Sequence, residues 1–440
     1  MRVTISSGPG NRCSEAWRRR RLGLRSSKDI LLEALSDTDH GQARTRLTPG
    51  TLFLLAGLAA LGSLATNVIL PAFPQIGAEL GVSPRDLALT LSSFFIAFAL
   101  GQILVGPLSD RFGRKWLVLG GLATFVLGCA VCVFAGDIFV LILGRVIQAL
   151  GACAASVLSR AIARDLFDGE ALARALALTM IAMAASPGFS PLIGSAINGL
   201  FGWRTIFVGV GAFAAVLAGC YWKMLGETHP VERREDLSLS AVGAAYVRLA
   251  SDPRFILPAL AVSLVIGALY TFFAAAPAVL ISVLGLTGLQ LALYFAATVI
   301  VVFTAGFLAP RLARRWGQVA AGALGLGFAV AGSGLILAFA GSPDLLAITI
   351  GLALFLFGMG LINPLGTAIA LQPFGREAGM ASALLGFLQM GCAAIGSMGA
   401  SLSSMPPTIS LAAIMLGASL LAAAVFAPIG LRRMQTKAAV

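Results

Sequence analysis

The sequence predicts an all-α membrane protein in which twelve transmembrane helices form two pseudo-symmetric six-helix bundles. Three observations predict it: the composition, a series of long apolar stretches, and one polar segment at the centre of the chain. Of the 440 residues, 58% are hydrophobic and only 11% are charged, whereas about 25% of the residues of soluble proteins are charged. A water-soluble chain of this length needs more polar side chains to cover its surface. An ordinary soluble globule is therefore excluded.

Twelve stretches are apolar and, at about 20 residues, long enough to cross a hydrocarbon core about 30 Å thick. They are residues 51–73, 86–108, 115–135, 138–161, 173–198, 203–222, 254–277, 288–310, 317–340, 345–370, 378–401 and 408–430. Backbone polar groups in the bilayer core must bond to each other, and such long runs achieve this only as helices. The sequence lacks the short alternating strands typical of a membrane barrel.

The polar stretches divide the chain into five predicted parts. They are a cytoplasmic, disordered tail (1–50), an N-terminal six-helix bundle (51–225), a charged cytoplasmic linker (226–253), a C-terminal six-helix bundle (254–430) and a cytoplasmic tail (431–440). A short amphipathic helix is predicted within the first tail, at residues 28–35. Equal halves around a charged linker suggest duplication of an ancestral six-helix unit.

The basic residues are distributed unevenly between the two sides of the membrane. If the N-terminus is cytoplasmic, 28 of the 31 Lys and Arg residues lie on the cytoplasmic side, which is the usual bias of membrane proteins. Arg85 and Arg204 lie outside, and Arg145 lies within a span. We therefore predict that both termini are cytoplasmic. The basic clusters flank the spans without interleaved aromatic residues, so the net charge of +12 does not indicate a nucleic-acid partner.

A repeated motif supports the duplication. The segment Gly106–Lys115 follows the second span and Gly306–Arg315 follows the eighth. At an offset of 200 residues, one glycine, one leucine and three basic positions coincide. The second copy is degenerate.

The motif also carries a family resemblance. Gly106–Lys115, with the sequence GPLSDRFGRK, fits the loop motif G-x-L-(S/A)-D-R-x-G-R-(R/K) of the major facilitator superfamily at every fixed position. Arg145–Gly151 resembles the fourth-span motif of that family, and Ala185–Gly194 resembles the fifth-span motif of its drug antiporters. With Asn67–Pro71 and Gly202–Phe207, the pattern is similar to the bicyclomycin and chloramphenicol efflux subfamily. The resemblance implies a bacterial inner-membrane transporter that works by alternating access.

The resemblance also implies a cytoplasmic gate motif. It consists of Gly106, Asp110, Arg111, Gly113, Arg114 and Lys115, and we call these residues the gate cluster. A short turn between two helices needs a glycine such as Gly113, and Asp110 can pair with an arginine or cap a helix. The family resemblance implies that the cluster latches the two halves together and opens during transport. The alternative is that it only fixes the topology.

A substrate or coupling cavity is predicted around an arginine inside the fourth span. Arg145 lies about 12 Å deep, where a charge costs about 3 kcal/mol or more without a partner or a wet cavity. Gln148 lies one turn later on the same face. Other polar groups within spans complete the predicted cavity; they are Asn67, Tyr270, Asn363 and Gln389. A structural role for Arg145, and helix–helix hydrogen bonds for the amides, are the alternatives.

The fifth span carries a predicted flexibility motif. Pro187, Pro191 and Gly194 loosen a helix and allow close backbone approach, which suits a span between the two halves. The family favours glycine immediately before the second proline, where this chain has Ser190.

The acidic residues depart further from the family pattern. All 19 lie in tails, in loops or at span ends, and Asn67 stands where relatives commonly have an aspartate. Proton antiport usually uses a buried carboxylate with a raised pKa. We therefore expect a cavity that favours neutral or weakly anionic amphiphiles over lipophilic cations. Proton coupling, if present, would use Asp110, Asp137 or another boundary carboxylate, or displacement effects at Arg145.

Export of drugs or toxic metabolites is the function that the sequence predicts. The expected partners are a small-molecule amphiphile, protons and the lipid bilayer, and the protein is expected to act as a monomer. No cofactor or metal is predicted, since Cys129 and Cys132 lie in an apolar helix without a nearby histidine. P-loop and hydrolase motifs are absent, which argues against an ATP-driven pump and an enzyme. A transporter of an amino acid or a sugar-like metabolite, or a non-transporting receptor or scaffold, is the alternative.

Overall fold

The computed structural model describes residues 48–234 and 239–438, and within them it contains helices and no strands. Within this described part of the chain, twelve helices are long and apolar enough to cross a membrane, as predicted. They are α1 (Pro49–Asn67), α2 (Pro84–Phe112), α3 (Arg114–Val133), α4 (Ile138–Leu166), α5 (Gly169–Phe201), α6 (Trp203–Met224), α7 (Pro253–Ala276), α8 (Gly288–Trp316), α9 (Gln318–Ala338), α10 (Leu345–Leu371), α11 (Ala378–Leu402) and α12 (Pro407–Ala438). The predicted tail up to residue 47, with its helix at 28–35, lies outside the described residues.

Shorter elements lie between or beside the spans. A 3₁₀ turn (Leu70–Ala72) and a short helix (Phe73–Leu80) follow α1, and the linker contains a helix at Leu239–Ser251. A π-helical segment (Pro277–Val283) extends α7, and a 3₁₀ segment (Gln372–Glu377) precedes α11. The sequence did not predict the linker helix, and α12 continues as a helix into the predicted tail 431–440. We call the membrane face that carries the linker the linker side and the other face the opposite side.

The two halves repeat each other at the ends of α2 and α8. Ser83 and Thr287 begin these helices with capping boxes, and glycines with positive φ, Gly113 at 92° and Gly317 at 86°, end them. Both pairs are 204 residues apart, since 287 − 83 and 317 − 113 give the same difference. The offset of 200 predicted from the motif is therefore wrong by four residues. A shift of four is about one helical turn and keeps each residue on the same face, so the charge pattern alone did not reveal it.

Glycines spaced by seven residues hold α3 against α4. They are Gly121 and Gly128 on α3, and Gly144 and Gly151 on α4. A Cβ atom built on Gly128 would lie 2.8 Å from the carbonyl oxygen of Gly144, and one on Gly121 would lie 3.2 Å from that of Gly151. The two backbones therefore touch directly, which is how small residues allow close packing of membrane helices.

The C-terminal half repeats this arrangement between α9 and α10. The glycines are Gly325 and Gly332 on α9, and Gly351 and Gly358 on α10, again seven residues apart on each helix. A Cβ on Gly325 would lie 2.7 Å from the carbonyl oxygen of Gly358, and one on Gly351 would lie 2.8 Å from that of Gly332. The same pair of glycine contacts in both halves is the strongest internal evidence for the repeat.

Adding a methyl group at these contacts is expected to destabilise the protein. Gly151→Ala and Gly358→Ala should each lower the free energy of unfolding by about 1–3 kcal/mol, because the new Cβ overlaps backbone atoms of the neighbouring helix. Gly120→Ala and Gly327→Ala are the controls, since their Cβ atoms meet nothing within 4 Å. Thermal unfolding in detergent micelles measures the difference. Equal effects at all four positions would contradict the backbone contact.

The two halves are joined by hydrogen bonds on the opposite side. Arg85 at the start of α2 donates to the carbonyl of Met405 at 2.8 Å, and the hydroxyls of Ser92 and Ser397 lie 2.8 Å apart between α2 and α11. Among the described spans, α5 and α8 are the least buried. The contact between Ser92 and Ser397 is made by side chains, unlike the glycine contacts within each half.

Candidate functional site

Arg145 is fully buried within the N-terminal half. Its Nη1 atom donates to the carbonyl oxygen of Ala65 at 3.0 Å and to Oε1 of Gln148. Gln148 in turn donates from Nε2 to the sulfur of Cys129 at 3.1 Å. The predicted pairing of Arg145 with Gln148 on one face of α4 is therefore present. None of the ion pairs among the described residues includes Arg145.

The backbone of α1 supplies a hydrogen-bond acceptor for the guanidinium group of Arg145. This helix ends at Asn67, and Pro71 has no N–H with which to continue it. The last carbonyls of a helix lack partners within the helix and carry partial negative charge. Ala65 is one of these residues, so Arg145 caps the C-terminus of α1. The sequence predicted a buried arginine at this place but not this partner.

Two interactions offset the cost of burying this charge. A cation at a helix C-terminus gains up to about 2 kcal/mol in a buried geometry. The guanidinium carbon of Arg145 lies 4.4 Å from the ring centroid of Phe94, and a desolvated cation–π contact of this kind contributes about 2 kcal/mol. Together they match the cost of about 3 kcal/mol or more for a charge in the membrane core.

A chain of aromatic rings runs from Arg145 to the other half. Phe94 lies 6.4 Å from Phe95 on α2, and Phe95 lies 5.0 Å from Tyr270 on α7, measured between ring centroids. Tyr270 lies 5.9 Å from Phe273. We call these four rings the aromatic bridge. It brings Tyr270, one of the predicted cavity residues, into the same cluster as Arg145 although the two belong to different halves.

Several buried polar atoms of α1, α4 and α5 have no hydrogen-bond partner among the described residues. They include Nε and Nη2 of Arg145, Oδ1 of Asn67, and the hydroxyls of Ser63 and Ser186. Asn67 itself donates to the carbonyl of Ser63 at 2.8 Å. Unpaired buried polar atoms are rare in proteins and mark places where water or a ligand binds. The atoms belong to α1, α4 and α5, which pack against one another.

The remaining predicted cavity residues lie elsewhere. Asn363 on α10 and Gln389 on α11 are half-buried, and none of the described contacts joins them to Arg145. Gln102 on α2 was missed by the sequence analysis. It is buried and lies against Gly386 of α11, where a Cβ would overlap its amide oxygen. The sequence alone does not show that a glycine on one span lies against a long polar side chain of another span.

The flexibility motif of α5 packs against two helices. A Cβ on Gly194 would overlap the carbonyl oxygen of Val68 at the end of α1, in the same half. A Cβ on Gly188 would overlap Val299 of α8, in the other half. The predicted close backbone approach is therefore present at α5, and the glycine that faces the other half is Gly188. Pro187 and Pro191, also predicted, both lie inside the continuous helix.

The gate cluster forms its ion pairs around Arg114. Arg114 lies 2.6 Å from Asp110 and 3.1 Å from Asp165 of α4, in both cases between a guanidinium nitrogen and a carboxylate oxygen. It also donates to the hydroxyl of Ser109. Lys115 lies over the ring of Trp222 at 4.6 Å. These contacts stay within the N-terminal half, whereas the family resemblance implied a latch between the halves.

A linker carboxylate completes the gate cluster. Glu227 accepts hydrogen bonds from the backbone N–H of Arg114 at 2.8 Å and of Lys115 at 3.3 Å, at the start of α3. A Cβ on Gly113 would overlap this carboxylate, which would have to shift to make room for it. Burial alone raises the pKa of Glu227, but these backbone donors, together with His229 and the charge of Arg234, hold that pKa below its ordinary value. Glu227 is therefore ionised at neutral pH.

Two cavities lie at the linker side of the C-terminal half. One of about 260 Å³ lies beside Pro258 and Ile369, and one of about 490 Å³ lies beside Phe374. Both are lined by Arg254, which is already paired with Asp252 at 2.7 Å. Arg145 is buried and has two donors without a partner among the described residues, so the chemistry favours Arg145 over these cavities as the functional centre.

Comparison with known proteins agrees with the fold and with the motifs. The family profile described as Major Facilitator Superfamily matches residues 54–397. The chain belongs to the major facilitator superfamily. This superfamily member is a multi-pass membrane protein, and its two halves are the parallel repeats of that fold. The fold class and family resemblance predicted from the sequence are confirmed.

Relatives of this superfamily member carry names from drug resistance. The chain is 31% identical over 364 residues to a chloramphenicol resistance protein of Pseudomonas aeruginosa, covering 81% of this chain and 84% of the relative. It is 28% identical over 365 residues to multidrug resistance protein D of Escherichia coli, covering 81% of this chain and 89% of the relative. A solved bacterial homologue of the human lysosomal transporter Spinster, inward-facing and unoccupied, superposes with a TM-score of 0.66 at 18% identity, covering 86% and 96%.

Proposed function

We propose that this protein is a secondary transporter that exports drugs or other toxic small amphiphiles across the bacterial cytoplasmic membrane, with both termini in the cytoplasm. Arg145 is the observation that carries the proposal. Its charge is held by the C-terminus of α1, and its Nε and Nη2, which have no partner among the described residues, can donate to a ligand oxygen. The aromatic bridge beside it consists of rings from both halves. The resistance-protein names of two relatives support the substrate class.

The charge balance favours neutral or weakly anionic substrates. None of the described acidic residues pairs with Arg145, so a lipophilic cation would enter a site that already carries a positive charge. A carbonyl, nitro, hydroxyl or carboxylate oxygen would instead accept from the free guanidinium donors. Apolar rings of the substrate would pack on Phe95 and Tyr270. The predicted substrate is an aromatic or cyclic amphiphile with at least one strong acceptor.

Transport then requires the halves to separate on the opposite side. The hydroxyl pair of Ser92 and Ser397 and the bond from Arg85 to Met405 must break in that step. For proton coupling we favour Asp110, which pairs with Arg114 in the gate cluster. Asp137 already caps α4 by accepting from the N–H of Val140 at 2.9 Å.

Transport into inverted membrane vesicles tests the proposal. Vesicles from a pump-deficient bacterial strain that expresses the protein are expected to accumulate a neutral phenicol when a proton gradient is imposed. Ethidium, a lipophilic cation, is expected to accumulate weakly or not at all, because it meets the charge of Arg145. Vesicles without the protein and vesicles treated with an uncoupler are the controls.

Three results would contradict this account in different ways. Strong gradient-driven ethidium uptake would disprove the charge preference and leave the transport proposal in place. Uptake of an amino acid or a sugar, without any phenicol uptake, would identify a metabolite transporter. No uptake of any of these compounds would favour a receptor or scaffold.

A further inference from the structure

The linker helix (Leu239–Ser251) lies where the two halves meet on the linker side. Its buried side chains include Val242, Tyr246 and Leu249. They pack into one apolar cluster with side chains of α7 and α11, including Phe255, Ala381, Ala383, Leu384 and Leu385. Ile103 of α2, which belongs to the other half, packs against the same cluster. The linker helix is therefore in contact with both halves.

One hydrogen bond joins the linker helix to α2. The hydroxyl of Tyr246 donates to the backbone carbonyl oxygen of Ile103 at 3.1 Å. In an α-helix the carbonyl of residue 103 accepts from the N–H of residue 107. Residue 107 is Pro107 of the gate motif, and proline has no N–H. Tyr246 thus binds the carbonyl that Pro107 leaves without a helical donor.

The tyrosine is suited to this role at every ordinary pH. Burial, with the negative charge of Asp110 nearby, raises the pKa of Tyr246 to about 12. Its hydroxyl therefore keeps its proton and remains a donor. An unpaired buried carbonyl is costly in a water-poor environment, so the bond satisfies α2 as well as anchoring the linker helix.

We propose that the linker helix is a strut that ties α2 to the C-terminal half, with Tyr246 docked on the backbone acceptor that Pro107 frees. Opening of the halves on the linker side must break this bond and expose the carbonyl of Ile103. The strut thereby favours the arrangement in which α2, α11 and the linker helix remain together. Only the link to opening depends on the proposed transport function; the contact itself does not.

A double-mutant cycle tests the strut on the full chain in detergent micelles. Tyr246→Phe should raise hydrogen exchange of the backbone amides in residues 240–251 by about five-fold, because it removes one hydrogen bond and leaves the carbonyl unpaired. Pro107→Ala restores a helical donor for Ile103. In that background the same tyrosine substitution should raise exchange by less than about two-fold, because the carbonyl stays satisfied. Val247→Ala, at a side chain that is 67% exposed, is the control.

Two results would overturn the strut. One is hydrogen exchange in Tyr246→Phe that equals that of the unsubstituted protein. The other is a rise in exchange on Tyr246→Phe that is equally large in the Pro107→Ala background. Exchange is measured without substrate, so its outcome is independent of the vesicle assay. Raised exchange in a protein that transports nothing would keep the strut and remove the proposed function. Transport by a protein whose exchange is unchanged in Tyr246→Phe would keep the proposed function and remove the strut.

Discussion

Arg145→Lys is expected to leave the protein folded and to lower export at least about ten-fold. Lysine keeps a positive charge near the C-terminus of α1 but lacks the planar fork of arginine. It cannot donate to Ala65 and Gln148 while stacking on Phe94 and presenting two further donors. Loss of one hydrogen bond from a charged group costs about 1.5–3 kcal/mol, which corresponds to ten-fold or more. Initial rates of phenicol uptake in inverted vesicles measure the effect.

Arg311→Lys is the matched control. Arg311 also donates to a backbone carbonyl, that of Phe307 at 2.9 Å, and lies over the ring of Phe307 at 3.9 Å. It is exposed, so water replaces whatever its lysine variant loses. Arg145→Ala should abolish export and also lower the unfolding temperature, because it leaves the carbonyl of Ala65 unpaired. Normal export by either Arg145 variant would show that this residue is structural only.

Gly113→Ala is expected to destabilise the protein more than the equivalent change in the other half. Both Gly113 and Gly317 have positive φ, at 92° and 86°, so alanine at either position is strained by about 1–3 kcal/mol. At Gly113 the new Cβ also overlaps the carboxylate of Glu227 and lies 2.6 Å from Nη2 of Arg234. Displacing Glu227 removes the acceptor from the start of α3 and costs about 1–3 kcal/mol more.

Gly317→Ala carries only the backbone strain, since its Cβ meets nothing within 4 Å. Thermal unfolding of the two variants in detergent gives the difference between them. Glu227→Gln is an independent check, because it keeps the shape of the side chain and weakens the charge-assisted bonds to Arg114 and Lys115. If Gly113→Ala and Gly317→Ala unfold at the same temperature, Glu227 contributes nothing to the stability of the turn.

The spans could be predicted from the sequence because hydrophobicity along one helix is a local property. The twelve stretches agree with the helices to within a few residues over most of the chain. The first span ends early, since α1 stops at Asn67 and the chain continues through a 3₁₀ turn at Pro71, whereas α8 and α12 run beyond the predicted stretches. An apolar run does not show by itself where a helix breaks inside it. The break leaves the carbonyl oxygen of Ala65 as an acceptor for Arg145.

The partners within the site could be predicted only in part. Arg145 stands out because a charge inside an apolar run is rare, and Gln148 follows from helical spacing. The Ala65 carbonyl does not stand out, because every residue has one and only the end of α1 leaves it free. Asp165 and Glu227 lie 51 and 113 residues from Arg114 along the chain. Pairings over such distances depend on how the helices pack, which a single sequence does not show.

The glycine contacts of α3 with α4 and of α9 with α10 have a consequence for how the protein moves. Where two backbones touch, there are no side chains that can change rotamer, so the helices cannot slide without losing contact altogether. Each pair should therefore behave as a rigid block on every timescale shorter than unfolding. Displacement is left to the serine pair between α2 and α11 and to the sparsely buried α5 and α8. Spin labels placed within one block should keep a constant separation, while labels on α5 and α8 should change theirs when substrate is added.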